Sequence, residues 1–214
     1  MIVSEQITAY INTLNTLEAR EVEELRKEAT KNLVPIIKPE TKELLKVLVT
    51  IKKPMRILEV GTAVGYSAIV MHTYQPEGGQ LTTIEKFPSR IKEAKENFKK
   101  HHMEEEISLL EGDAIEILKT LEGSFDMIFM DAAKGQYIHF LQDVLRLLAK
   151  DGLLISDNVL QDGDVAKSKY SIIRRNRTIH KRMRDYLYTL KHHEQLLTSI
   201  VPIGDGVAIS VKQS

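Results

Sequence analysis

Glu59-Val60-Gly61-Thr62-Ala63-Val64-Gly65-Tyr66-Ser67 is the stretch that decides the fold. An apolar run, Arg56–Val60, ends there as a strand, and a helical pattern, Ser67–Tyr74, starts at once. Glycine at such a turn lets a ligand approach the backbone at the helix N-terminus, where unpaired N–H groups point outward. The dinucleotide fingerprint G-x-G-x-x-G is absent: Gly61 and Gly65 are separated by three residues, and position 63 is alanine. A nicotinamide dinucleotide is therefore disfavoured. Glu85 closes the next apolar run, 24 residues past Gly61, where a carboxylate accepts hydrogen bonds from ribose hydroxyls. Glu111-Gly112-Asp113-Ala114 closes the third run and brings an Asp within reach of an adenine amino group. A glycine turn, a ribose acid and a third-strand Asp point to adenosine without a pyrophosphate.

The alternation continues outward from this stretch. Leu81–Glu85 is followed by Arg90–Lys100, Ile107–Leu110 by Ala114–Leu121, and Phe125–Met130 by Tyr137–Leu148; Leu153–Ser156 follows. Short apolar runs joined by helical segments predict an α/β fold with a doubly wound, mostly parallel sheet. Leu196–Val201 and Val207–Val211 have only Pro202-Ile203-Gly204-Asp205-Gly206 between them, which predicts a C-terminal antiparallel hairpin. Upstream, Ile7, Ile11, Leu14, Leu17, Val22 and Leu25 fall at helical spacing and predict one or two helices over residues 4–30. Pro39 suits the first turn of a third helix, with Glu40 at its positive end and Leu44, Leu45 and Leu48 as its apolar stripe.

A chain of 214 residues, 43% hydrophobic and 28% charged, suits one domain, 1–214, with residues 1–50 as a helical appendage and 51–214 as the catalytic core. No window approaches a membrane span, and the N-terminus lacks the basic and apolar regions of a secretory signal. The absence of cysteine removes disulfides, thiolate nucleophiles and sulfur-held zinc, so a soluble cytoplasmic protein is expected, with any metal held by oxygen or nitrogen. The amphipathic N-terminal helices are available for a homodimer contact or for lidding a site. The net charge of +0 hides an uneven distribution, because Lys167–Lys191 alone carries +8 and the remainder −8.

Gly61-Thr62-Ala63-Val64-Gly65-Tyr66-Ser67 has the form GTxxGYS, and on it the chain resembles the S-adenosylmethionine (SAM)-dependent methyltransferases, specifically the cation-dependent O-methyltransferases of the catechol and caffeoyl-CoA type. The resemblance spans roughly Pro39 to Lys212. It implies a Rossmann-like fold with a seven-stranded sheet, and SAM held by Lys38, Glu59, Gly61, Ser67, Glu85, Asp113 and Asp131.

Asp131 ends the fourth strand run and Asp157-Asn158 the fifth, at the edge where open α/β sheets bind ligands. Two carboxylates and an amide oxygen suit Mg²⁺, Mn²⁺ or Ca²⁺. Spacing alone allows an equal alternative, in which Asp131 caps a helix and Asp157-Asn158 is a turn dipeptide. The resemblance assigns Asp131, Asp157 and Asn158 to the metal, and Lys134, in Asp131-Ala132-Ala133-Lys134, to catalysis beside Asp131. The alternative for Lys134 is an ordinary surface lysine.

Such metal chemistry suits any hydroxyl beside a second oxygen: a catechol, a caffeoyl ester, or the 5-hydroxyl and O4 of 5-hydroxyuracil. Ile172, Ile179, Met183, Tyr186 or Leu187, and Leu190 follow helical spacing within the basic segment, leaving its cations on the outer face. Arg174, Arg175, Arg177, Lys181 and Arg182 are the candidate RNA-binding residues, since arginine suits phosphates and stacked bases. His180, His192 and His193 are expected to be solvated or to contact phosphate. In its Tyr170–His180 stretch the chain looks like the bacterial tRNA 5-hydroxyuridine methyltransferases, which make 5-methoxyuridine at the wobble position. That resemblance implies the tRNA anticodon loop as partner; the alternative is a small phenolic substrate. A third reading, a non-catalytic RNA-binding protein, is disfavoured by the intact Asp131, Lys134, Asp157 and Asn158.

Overall fold

The computed structural model describes residues 3–213; Met1, Ile2 and Ser214, which belong to the expected 1–214 unit, lie outside the described residues. Three helices, α1 (Glu5–Thr13), α2 (Arg20–Lys31) and α3 (Pro39–Lys52), precede the sheet. There follow β1 (Arg56–Val60), α4 (Tyr66–Thr73), β2 (Gln80–Glu85), α5 (Pro88–Lys100), β3 (Ile107–Glu111), α6 (Ala114–Thr120) and β4 (Phe125–Met130). The chain continues through α7 (Tyr137–Leu147), β5 (Leu148–Ser156), α8 (Arg177–His192), β6 (Leu196–Val201) and β7 (Val207–Lys212).

The seven strands lie in the order β3-β2-β1-β4-β5-β7-β6. β1 to β5 run parallel, whereas β7 pairs antiparallel with both β5 and β6. The doubly wound sheet and the terminal hairpin are thus as the apolar runs predict, with the turn confined to Pro202–Gly206. Because the chain leaves β3 at one edge and returns to β4 beside β1, a crevice opens at the carboxyl ends of β1 and β4.

Strand residues alternate between two apolar layers. Ile57, Met127, Phe129 and Ile155 pack with Leu45, Val49, Ile69 and Phe98 on one face of the sheet. Leu58, Val60, Ile128, Met130 and Leu154 pack with Val144, Met183, Tyr186 and Leu190 on the other. The central strands are buried on both sides, which is why their sequence reads as apolar runs rather than alternating ones.

Three expectations need correction. In the N-terminal stripe only Val22 and Leu25 are buried; Ile7, Ile11, Leu14 and Leu17 are exposed. The chain leaves the helix between α1 and α2, so a period counted across that break does not describe one face. In the basic segment the α-helix starts only at Arg177, while Arg174–Asn176 forms a separate 3-10 turn after an extended Ile173. Finally, β5 begins at Leu148, earlier than the apolar run, with an irregularity opposite Phe125 and Met127.

Gly61 is where the two halves of the crevice touch. Its φ is +102°, and a β-carbon there would overlap the Asp131 carbonyl group. Gly163, at φ +90°, has nothing within 4 Å of the same position. Gly61→Ala should therefore cost about 2–3 kcal/mol, and Gly163→Ala only the roughly 1 kcal/mol of left-handed backbone strain. Urea unfolding midpoints at unchanged slope measure the difference, and equal losses would show that the close approach at Gly61 is not limiting.

Candidate active site

Glu59 occupies the alternate β1 position that faces the α4 side, and it is fully buried beneath the glycine turn. Its carboxyl accepts hydrogen bonds from Ser67 Oγ at 2.5 Å, Thr83 Oγ1 at 2.5 Å and Thr62 Oγ1 at 2.8 Å. The Thr62 and Thr83 hydroxyls also contact each other. Burial pushes the Glu59 carboxyl up to about 7, against the three hydroxyls that lower it. Glu59, expected at the cofactor, does not itself line the cavity; its hydrogen bonds to Thr62 and Ser67, which do, brace the turn from below.

Above that turn lies a cavity of about 740 Å³. Gly61, Ser67, Glu85 and Asp113 line it, together with Phe87, Ala114 and Ile115. Glu85 is held by backbone N–H groups alone: Oε2 accepts from Ala63 at 2.9 Å, and Oε1 from Lys86 at 2.8 Å and Phe87 at 3.0 Å. These bonds tie the end of β2 to the glycine turn and leave the carboxylate acceptor-only at the cavity wall. Asp113 caps α6 through Ile115 N at 2.9 Å, and its other oxygen lies 3.6 Å from Lys86 Nζ.

At the opposite end, the cavity is lined by Asp131, Lys134, Asp157 and Asn158. Asn158 Nδ2 donates to Asp131 Oδ1 at 2.8 Å, and Asn158 N to Asp157 Oδ1 at 2.7 Å. Asn158 adopts φ +62°, a conformation Asn tolerates better than most residues. Tyr137 braces both strand ends, its hydroxyl 3.0 Å from the Met130 carbonyl and 3.1 Å from that of Asp157. The capping alternative for Asp131 is not realised, since its oxygen engages the Asn158 amide.

Burial raises both carboxyls above the usual carboxylate range, and the charge of Asp131 raises Asp157 further. Lys134 offsets part of this for each. Lys38, expected at the cofactor, does line the cavity, but its ammonium is committed to Asp205 at 2.5 Å and approaches Asp162 at 3.8 Å. Among the described residues no three His, Asp or Glu side chains gather at one point, so a cation here would rely on two carboxylates and an amide. That donor set fits a hard divalent cation: two acids, Asp157 buried and Asp131 half-buried, short of positive charge, beside an amide whose oxygen reaches the same place by rotation.

The basic candidates divide into two groups. Arg174, Arg175 and Lys181 are exposed, and the side chains of Arg174 and Arg175 hydrogen-bond to nothing among the described residues, while Lys181 Nζ only approaches Asp185 at 3.8 Å. Arg177 Nε is bonded to the Ile172 carbonyl at 3.1 Å, and Arg182 Nη1 to the Gly135 carbonyl at 3.1 Å. His180, expected at the surface, is instead 2% exposed and 3.1 Å from the Lys167 carbonyl. Helix periodicity placed it with the cations, but it lies on the face that clamps the 165–172 loop. His192 is exposed and stacks on Tyr188.

Sequence reasoning missed Asp205, which was read only as a turn residue, and the bracing roles of Tyr137 and Arg182. Each acts on a partner remote in the chain, and no local spacing encodes that.

The model of the O-methyltransferase family matches residues 12–213, and the chain belongs to that family. It is 36% identical over 133 residues to the catechol O-methyltransferase of Niastella koreensis, covering 60% of each chain. A Staphylococcus aureus crystal structure, provisionally described as a caffeoyl-CoA O-methyltransferase, superposes with TM-score 0.86 at 34% identity, over 97% of this chain and 98% of that one. The Podospora anserina methyltransferase PaMTH1, solved with S-adenosylhomocysteine (SAH) bound, gives TM-score 0.87 at 25% identity, over 98% and 95% of the two chains.

The raised acids carry a sign. A carboxyl with a higher pKa folded than unfolded holds more protons in the native state, so stability falls as pH rises from about 4 towards neutrality. A bound cation needs both groups ionised and should reverse the loss. Mg²⁺ should thus raise the melting temperature more at about pH 8 than at about pH 5, and Asp157→Asn should flatten both trends. Identical Mg²⁺ shifts at the two pH values would refute the carboxylate pair as its site.

Proposed function

We propose that this protein transfers the methyl group of SAM to a hydroxyl that has a second oxygen beside it. The observation that carries this is one cavity with Glu85 and Asp113 at one end and Asp131, Asp157, Asn158 and Lys134 at the other. The SAH-bound PaMTH1 supports SAM as the donor, and SAM would supply an electrophilic methyl on a sulfonium. Glu85 would accept the ribose hydroxyls, and Gly61 lets the ligand lie against the backbone. Asp131, Asp157 and Asn158 would hold Mg²⁺, Mn²⁺ or Ca²⁺, which when bound lowers the pKa of a chelating hydroxyl. Lys134 would take the acceptor's proton or hold the resulting oxyanion. We read residues 1–214 as one methyltransferase domain, a reading supported by a family match that begins within α1. The exposed Ile7, Tyr10, Ile11, Leu14 and Leu17 are offered as contact surface for a second copy.

The acceptor class best supported is a small phenol with vicinal oxygens, since the relatives bear catechol and caffeoyl-CoA names. One observation favours a second reading, 5-hydroxyuridine at the tRNA wobble position. The segment from Lys167 to Lys181 presents Arg174, Arg175 and Lys181 to solvent and carries Tyr170, 76% exposed, with Lys169 Nζ 5.1 Å from its ring, on elements that adjoin the turn bearing Lys134. Cations beside an exposed aromatic suit phosphates and unstacked bases.

Incubation with SAM and Mg²⁺, offering either a catechol panel or total tRNA, should label the catechols if the first reading holds. Labelled tRNA would instead favour the second. In that case Arg174, Arg175 and Lys181 changed together to Ala should weaken tRNA binding and flatten its salt dependence by about 0.7–0.9 log unit per lost contact. No methyl transfer to either acceptor would leave the vicinal-oxygen reading without support. Independently, Glu85→Ala should weaken SAM binding by about 1–3 kcal/mol, read by calorimetry. Unchanged affinity would remove Glu85 from the ribose.

A further inference from the structure

We infer that Arg182 is a positioning residue for Lys134, acting through the backbone of the turn that carries it. The inference rests on the reading of Lys134 given above. Lys134–Gln136 is a single 3-10 turn between β4 and α7, closed by Gln136 N donating to the Ala133 carbonyl at 2.8 Å. One turn with one internal bond is a weak element on its own. Its middle carbonyl, that of Gly135, accepts from Arg182 Nη1 at 3.1 Å, and Arg182 is half-buried there. Ile179 and Arg182 are the groups closest to Gly135, 3.6 and 3.7 Å from where a β-carbon would stand.

Helix α8 is itself rigidly set. Met183, Tyr186 and Leu190 are fully buried, the Tyr186 ring meets that of Tyr137 edge-on at 5.5 Å, and Tyr186 Oη lies 2.7 Å from Ser156 Oγ. The turn is therefore held on one side by Tyr137, the first residue of α7, and on the other by Arg182. Glycine at position 135 leaves the backbone freer than any other residue would, so an external bond to its carbonyl has the most to restrain. Fixing the Gly135 peptide fixes the direction in which the preceding Lys134 leaves the chain towards the cavity. Arg182 thus faces inward, apart from the exposed Arg174, Arg175 and Lys181, and works on the reaction rather than on a phosphate.

Hydrogen exchange and steady-state kinetics on Arg182→Ala and Arg182→Lys test this in the full chain. In Arg182→Ala, the amides of residues 134–137 should exchange at least several-fold faster while those of β4 and β5 keep their protection. With whichever acceptor takes the methyl, kcat should fall about tenfold or more, with KM and SAM affinity within about twofold. Arg182→Lys, which keeps a donor, should recover part of both. Unchanged exchange at the turn overturns the inference, as does faster exchange with an unaltered kcat. A rise in KM and a changed salt dependence alone would return Arg182 to the phosphate-binding set and overturn it too. Lys134→Met separates the two levels: full turnover there refutes the role given to Lys134, whereas loss of turnover with Arg182→Ala unaffected refutes only Arg182. If neither acceptor is methylated, the exchange measurement still decides whether Arg182 holds the turn.

Discussion

Everything at the carboxyl edge of the sheet depends on the contact between Gly61 and the backbone carbonyl of Asp131. β1 and β4 pair in parallel up to Val60 and Met130, and the two chains then turn away in different directions with no room for a side chain between them. Gly61 N donates to the Ile84 carbonyl, and Asp131 N to that of Val60, so three strands end in one hydrogen-bonded knot. The knot sets the distance between the half of the cavity lined by Glu85 and Asp113 and the half lined by Asp131 and Asp157. A wider separation would leave two sites; here they share one wall.

The two halves are stabilised differently. Around Glu85 the carboxylate is satisfied by three backbone N–H groups, which hold a negative charge at the wall without a cation. Asp131 and Asp157 have only Asn158 as donor among the described residues, through its side-chain amide and its backbone N–H respectively, and the charge of Lys134 adds a smaller relief to each. Lys38 is drawn off by Asp205, whose carboxyl it holds below the usual range against the opposing effect of burial. Charge is thus balanced at one end and left in deficit at the other, the arrangement expected of an oxygen site for a dication. Glu59 shows a third solution, with burial raising its carboxyl and three hydroxyls serving it in place of a cation.

Helix α8 connects surface and site. Its inner face packs Tyr186 on Tyr137 and Arg182 on Gly135, while Lys181 faces outward. The loop ahead of it is pinned by Arg177, His180 and Arg184 to the carbonyls of Ile172, Lys167 and Val165. A positive charge count over this segment therefore overstates what is free to meet a ligand. The side chains of Arg174 and Arg175, on the 3-10 turn before the helix, engage no partner among the described residues.

Much of this was legible in the sequence because it is local. Apolar runs of strand length, a glycine turn after the first, acids closing the second through fifth, and a five-residue turn between the last two runs are one-dimensional signals, and they fix a parallel sheet with its acids at one edge. Gly61, Glu85 and Asp113 follow from the same geometry, since strand ends in such a sheet converge; for Asp131, Asp157 and Asn158 spacing left a helix cap and a turn dipeptide equally open, and the family resemblance chose between them. Tertiary structure alone decided which side of the turn each residue serves. Glu59 and Glu85 are both strand acids on the same face of the sheet, yet one lies under the turn and the other at the cavity: Glu59 is in register with Thr83, which supplies a hydroxyl, whereas Glu85 stands two residues further along β2, past the last paired residue of β1. Lys38 meets Asp205 across 167 positions of chain, and Arg182 meets Gly135 across 47. Such pairs are made by the docking of whole elements, and a side chain's charge records neither its partner nor its distance from one.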